Sequence, residues 1–220
     1  MQFLSTDIKP IKFDQIKETY IFYLKENFIL MSQIKRRGDN NFAAFDPNKS
    51  EKLFKGRALH IQLMSLIGIT AEHLVKLIIS KRGYTLNKIS YVKDDANSSM
   101  PTIIYSSMLI GFKESVKLLT QSNTNNYFIK LKPYQLNPFP KAYDRDVYFN
   151  RKKINPGECL NLLVEVRNSY LHDPTPKNEQ NGVIWYLYDF ILWLAKKEFS
   201  GEFKNQKYIG NDEIKKIYSA

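Results

Sequence analysis

The sequence predicts an all-α fold, a helical bundle formed by a single domain of 220 residues. Three observations predict it. Apolar residues recur on a 3.6-residue period through three long stretches, beginning near Asp14, Ser50 and Leu160. Gly38, Gly83, Asn155-Pro156 and Pro174 sit where helices of that length need a start or a stop. Alternation of the kind that marks strands is confined to two short runs, Lys88 to Val92 and Ile129 to Lys132. The predicted layout is an N-terminal helical extension over 1–49, a core over 50–200 and a tail over 201–220.

The first helix is predicted from Asp14 to about Arg37. Ile16, Tyr20, Leu24, Phe28, Met31 and Ile34 form its apolar stripe, Lys35-Arg36-Arg37 suits the negative end of its dipole, and Gly38 stops it. A loop rich in Asn and Asp follows, closed by Asp46-Pro47. The second helix runs from about Ser50 to Arg82 and ends at Gly83, a residue suited to a left-handed cap. Gly56 and Gly68 argue against one straight rod. A third helix is expected over Ile103 to Gln121, with Ile104, Met108, Phe112, Val116 and Leu119 on one side. Ser122 to Asn155 is the irregular part, broken by Pro133, Pro138 and Pro140. The last two helices span 156 to 173 and 178 to 200. The final one is apolar on nearly all sides, which places it in the core or at a subunit interface.

Charge narrows the choice of partner. The net charge is +11 and the sequence pI about 9.5, so a polyanion is the natural partner: nucleic acid, an anionic membrane surface or an acidic protein. The lone Cys159 forms no internal disulfide, which agrees with a reducing cytoplasm, and it reads as a small buried hydrophobe. The N-terminus carries no basic flank followed by an apolar run, and the apolar stretch Val183 to Ala195 is too short to span a bilayer. Three scattered histidines and one cysteine give no zinc-ligand spacing. Phosphate-binding glycine loops and nucleophile elbows are missing too, so no metal or cofactor is expected.

Two places concentrate chemistry. Between Ser122 and Asn155, seven cations (among them Lys141, Arg145, Arg151, Lys152 and Lys153) face two acids, a net +5, and seven aromatic residues interleave with them. Rings that stack bases beside cations that hold phosphates are what single-stranded RNA recognition requires. The same rings would equally pack the loop onto the helices. The second place is the helix after Asn155-Pro156. Leu160, Leu163, Val164, Arg167 and Leu171 form one row with the spacing of a buried face, interrupted by Arg167. Asn161, Glu165, Asn168 and His172 form a polar row beside it. A guanidinium on a core-facing stripe needs an anion, either a substrate phosphate or a carboxylate such as Glu72 that ties two helices together. His172 in the last turn is favoured in its protonated form by the helix dipole. His60 and His73 read as partly buried helix histidines.

Arg167-Asn168-Ser169-Tyr170-Leu171-His172 resembles the Arg-Asn-x-x-x-His motif of the HEPN superfamily, small helical domains that include many metal-independent ribonucleases of toxin–antitoxin and abortive-infection systems. Ala71 to Gly83 is similar to the first core helix of that family. The resemblance implies a HEPN-like bundle and an endoribonuclease with Arg167, Asn168 and His172 as its catalytic residues and Glu72 and Glu165 in support. It further implies a homodimer in which two motifs share a cleft, and RNA and an antitoxin or defence protein as partners. The alternative is a non-catalytic module of the same type that binds RNA or protein. One departure stands out: toxins of this family silenced by a nucleotidyltransferase carry Tyr two residues after the motif His, where this chain has Pro174.

Overall fold

The computed structural model describes residues 8–42, 50–93, 102–120, 147–149, 152–172 and 181–208. They are predominantly helical. In chain order the elements are α1 (Phe13–Phe42), α2 (Ser50–Lys81), β1 (Asn87–Lys93), β2 (Thr102–Leu109), α3 (Phe112–Thr120), β3 (Val147–Phe149), β4 (Lys152–Ile154), α4 (Pro156–His172), α5 (Asn181–Glu198) and α6 (Ser200–Phe203).

The ends of the helices follow local chemistry. At the start of α1, the Lys12 amide donates to the Gln15 side chain (2.9 Å), the return half of a capping box. Gly111 and Glu114 repeat that device at α3 (2.7 Å). Asn155 caps α4 by accepting from the amides of Gly157 (2.8 Å) and Glu158 (3.2 Å), with Pro156 at the first helical position. At the end of α2, Gly83 adopts φ 90°, and the Gly83 and Tyr84 amides return to the carbonyls of Ser80 (2.9 Å) and Ile79 (3.1 Å). That paired bonding satisfies carbonyls the helix would leave bare.

α2 is the hub, packed against α1, α3, α4 and α5. Leu63, Met64, Ile67, Ala71, Leu74, Val75, Leu77 and Ile78 are buried along it, on more than one face. By length and composition its Ala58–Lys81 part is apolar enough to cross a membrane, and most of it is covered by the neighbouring helices. α1 contributes Leu24, Phe28 and Met31 to the same core, and α5 contributes Leu187, Tyr188, Phe190, Ile191, Leu192 and Leu194. From Leu187 to Ala195 the side chains of α5 are therefore packed within the chain, Trp193 only in part. Phe203 of α6 is fully buried and packs edge-on against Phe28, so the segment after residue 200 begins as part of the core.

Three expectations change. The helix expected over 103–121 is divided: residues 102–109 form β2, paired antiparallel with β1, and only 112–120 are helical. The run Ile103-Ile104-Tyr105 is β-branched and aromatic, and Asn87 fixes the pairing. Its side chain accepts from the Ile11 amide (2.8 Å) and donates to the Ser106 carbonyl (3.0 Å). α1 continues past Gly38 to Phe42. Leu171 is 39% exposed although it continues the buried row of α4; Tyr170, 8% exposed, takes the inward position in that last turn. The strand expected at 129–132 lies outside the described residues.

Candidate functional site

α4 crosses α2 antiparallel. Tyr170 meets Ser65 and His60, while Arg167, nearer the start of α4, meets Gly68 and Glu72 further along α2. Gly68 makes the crossing close. A Cβ built there would lie 2.6 Å from Arg167 Cβ and 2.7 Å from its Cα, so no larger residue fits without parting the helices. This glycine lets α4 settle onto α2.

The closeness brings Arg167 to an acid. Its Nε donates to Glu72 Oε2 at 3.1 Å, and its Nη1 to Asn168 Oδ1 at 3.2 Å. The other oxygen of Glu72 accepts from Lys76 Nζ at 2.7 Å. Glu72 and Lys76 are nearly buried, with side chains 13% and 10% exposed, whereas Arg167 keeps 28%. One carboxylate thus stands between two cations, and the cluster carries a net positive charge with the guanidinium on its open side. Tyr20 of α1 lies near, its ring 5.4 Å from that of His73. Burial, and then the Glu72 charge, raise the Tyr20 phenol. Burial lowers the His73 imidazole, with Glu72 opposing and Lys76 reinforcing the shift.

A second contact pins the far end of α4. Tyr170 OH lies 3.4 Å from His60 Nε2, both residues being 8% exposed, and Ser65 Oγ donates to the Tyr170 carbonyl at 3.2 Å. His172 is the last residue of α4. Asn161, Glu165 and Asn168 are exposed on the outer face of the helix, as the polar row predicts, and Leu162 and Leu171 stand among them. Glu165 lies on this exposed row and not on the buried one. Cys159 is buried. Among the described residues no three His, Cys, Asp or Glu side chains gather as a metal site would require.

The basic segment is only partly in view. Lys141, Arg145 and Arg151 lie outside the described residues. Lys152 and Lys153 belong to β4, which pairs with β3 and leads through Asn155 into the start of α4. His172 ends that helix of 17 residues, so β4 and His172 are separated by about 24 Å along its axis. The two lysines consequently border the opposite end of α4 from His172 within one chain.

The sequence offers Glu72 as one anion for Arg167, beside a substrate phosphate, and does not point to Lys76, to the role of Gly68 or to the His60–Tyr170 contact. The Glu72–Lys76 spacing of four was a visible signal, since such pairs face each other on a helix. Gly68 gave none, because only the crossing explains it.

No family model, curated protein or solved structure matches this chain.

Proposed function

We propose that this chain is a HEPN-like, metal-independent endoribonuclease of toxin or antiviral abortive-infection type, acting as a cytoplasmic homodimer. The observation that carries the reading is the placement of Arg167: rooted by Glu72 at the α2–α4 crossing, hydrogen-bonded to Asn168, and one and a half turns before His172 on the same helix. A planar guanidinium fork suits the two non-bridging oxygens of a phosphate, and in this reading a substrate phosphate meets Arg167 beside its Glu72 contact.

The roles follow from the reaction. The ribose 2′-hydroxyl loses its proton to a base and attacks the adjacent phosphorus in line. The 5′-oxygen leaves with a proton from an acid, giving a 2′,3′-cyclic phosphate and a 5′-hydroxyl. His172 serves proton transfer, since imidazole is the side chain suited to taking up and giving back a proton near neutral pH. Arg167 stabilises charge on the pentacoordinate phosphate, Asn168 orients Arg167, and Glu72 with Lys76 fixes the direction of the fork. Two chains supply the two histidines that an acid and a base require. RNA reaches this cleft along the cationic segment that holds Lys141, Arg145, Arg151, Lys152 and Lys153.

A second reading, a non-catalytic module that binds RNA or a protein partner, is favoured by the same Glu72 contact, because a carboxylate at 3.1 Å already meets the charge of Arg167. Incubating purified protein with total RNA in EDTA separates the two. The enzyme reading expects cleavage that persists in EDTA and falls roughly 100-fold or more in Arg167→Lys, a variant that keeps the charge beside Glu72 but loses the fork. RNA that is bound yet never cut, or equal cutting by the Lys variant, overturns it.

A further inference from the structure

α1 has an outer face that the described residues leave uncovered. Phe22 is 60% exposed, Tyr23 53%, Ile29 42% and Leu30 46%, and they lie opposite Leu24, Phe28 and Met31, which are fully buried. At 100° per residue the four fall within about 120° of the helix surface. Side chains of this size carry on the order of 150–250 Å² when fully counted, so their exposed parts make a patch of roughly 400 Å², comparable with the largest on a typical monomer.

We propose that this face is a self-association surface, occupied by α1 of a second copy running antiparallel. The first reason is the spacing. Phe22 and Leu30 lie equally far to either side of Glu26, as do Tyr23 and Ile29. A two-fold axis through Glu26 therefore sets Phe22 beside the partner's Ile29 and Tyr23 beside the partner's Leu30, and the same patch serves both copies. The second reason is charge. Asp14 and Glu18 occupy the first turns of α1, and Lys35-Arg36-Arg37 follows Ile34. The antiparallel pair brings each acidic end within a turn of the opposite basic run. A parallel pair would set acid against acid and base against base, so charge selects the antiparallel orientation.

The area sets the strength. Two apolar patches remove about 800 Å² from water, less than the roughly 1,200 Å² at the lower end of stable interfaces. Gln15, Thr19 and Gln33 on the same face must supply the remainder, so the dimer exchanges and dissociates on dilution. The two Glu26 carboxylates meet near the axis and oppose association. This inference uses neither Arg167 nor RNA cleavage, and it stands or falls apart from them.

Sedimentation of the full chain from low to high micromolar concentration tests it. Wild type gains one step of association as concentration rises, from monomer to dimer through this face alone, or beyond the dimer where the His172 cleft also joins two chains. F22S/L30S weakens the dimer by roughly 100-fold, because central apolar contacts dominate such interfaces. E26Q tightens it several-fold, and E18R weakens it until R37E in the same chain restores the pairing. A short bismaleimide joins E26C into a covalent dimer but leaves D14C unlinked, the two Asp14 positions lying about 36 Å apart in this arrangement. The native Cys159 is buried and does not compete. Should F22S/L30S lose helicity, E18R/R37E and the E26C link still decide. A wild type with no association step sensitive to F22S/L30S, or a cross-link at D14C rather than E26C, overturns the proposal.

Discussion

Gly68 on α2 and Arg167 on α4 touch backbone to backbone: a Cβ on the glycine would come within 2.7 Å of the arginine Cα. This contact decides where the guanidinium begins, and so which groups it reaches. Gly68→Ala gains up to about 1 kcal/mol of helix propensity. It must also push two packed helices apart, which costs about 1–3 kcal/mol. The expected outcome is a net loss of stability in urea unfolding, together with a weakened Arg167–Glu72 contact. A variant more stable than wild type would mean that the crossing has room to spare.

Glu72 holds two cations, Lys76 at 2.7 Å and Arg167 at 3.1 Å, and is itself nearly buried. Neutralising it leaves Lys76 buried without its anion. Glu72→Gln should therefore cost about 3 kcal/mol, the range found when one member of a buried pair is removed. Lys76→Met should cost less, since its apolar stem stays packed and Glu72 retains Arg167. Equilibrium unfolding of both variants gives the order directly. An equal or reversed order would show that Arg167 alone does not satisfy the carboxylate.

His73 gives the fold a pH dependence. Burial holds its imidazole below the ordinary 6.5, against the pull of Glu72 and with the push of Lys76. The unfolded chain therefore takes up this proton at a higher pH than the folded one. The contribution of His73 to stability is complete above 6.5 and is lost as pH falls from there through the folded value. The unfolding midpoint should drop across that window in wild type and drop less in His73→Asn. A midpoint that rises on acidification would reverse the assigned direction.

How far the sequence discloses this arrangement depends on whether the deciding contact is local. Asn155-Pro156 and Gly83 mark their helix ends because capping joins residues a few positions apart. Arg167 on an apolar row signals a buried anion, and Glu72 answers it at 3.1 Å. Ile104, Met108 and Phe112 satisfy helical spacing, yet residues 102–109 pair with β1 because β-branched and aromatic residues suit a strand and Asn87 bridges to Ile11 and Ser106. That bridge spans distant parts of the chain, so periodicity does not carry it. Gly68 looked like a weakness in a long helix. Only the approach of α4, nearly a hundred residues later, explains it.

The last prediction concerns the number of histidines a cleavage site can draw on. The chain has three. His60 is 8% exposed and faces Tyr170 in the core, and His73 is half-buried between Tyr20 and Glu72. Under the proposed function the remaining histidine, His172, is the proton-transfer group and acts with a copy of itself. A His172→Ala chain mixed or co-expressed with wild type should then poison every heterodimer. With random pairing, an equal mixture retains about a quarter of the activity, because activity follows the square of the wild-type fraction. Independent sites would retain about half. The subunits must exchange fully before the measurement. A linear decline would remove the shared cleft and require a proton-transfer group other than a second His172.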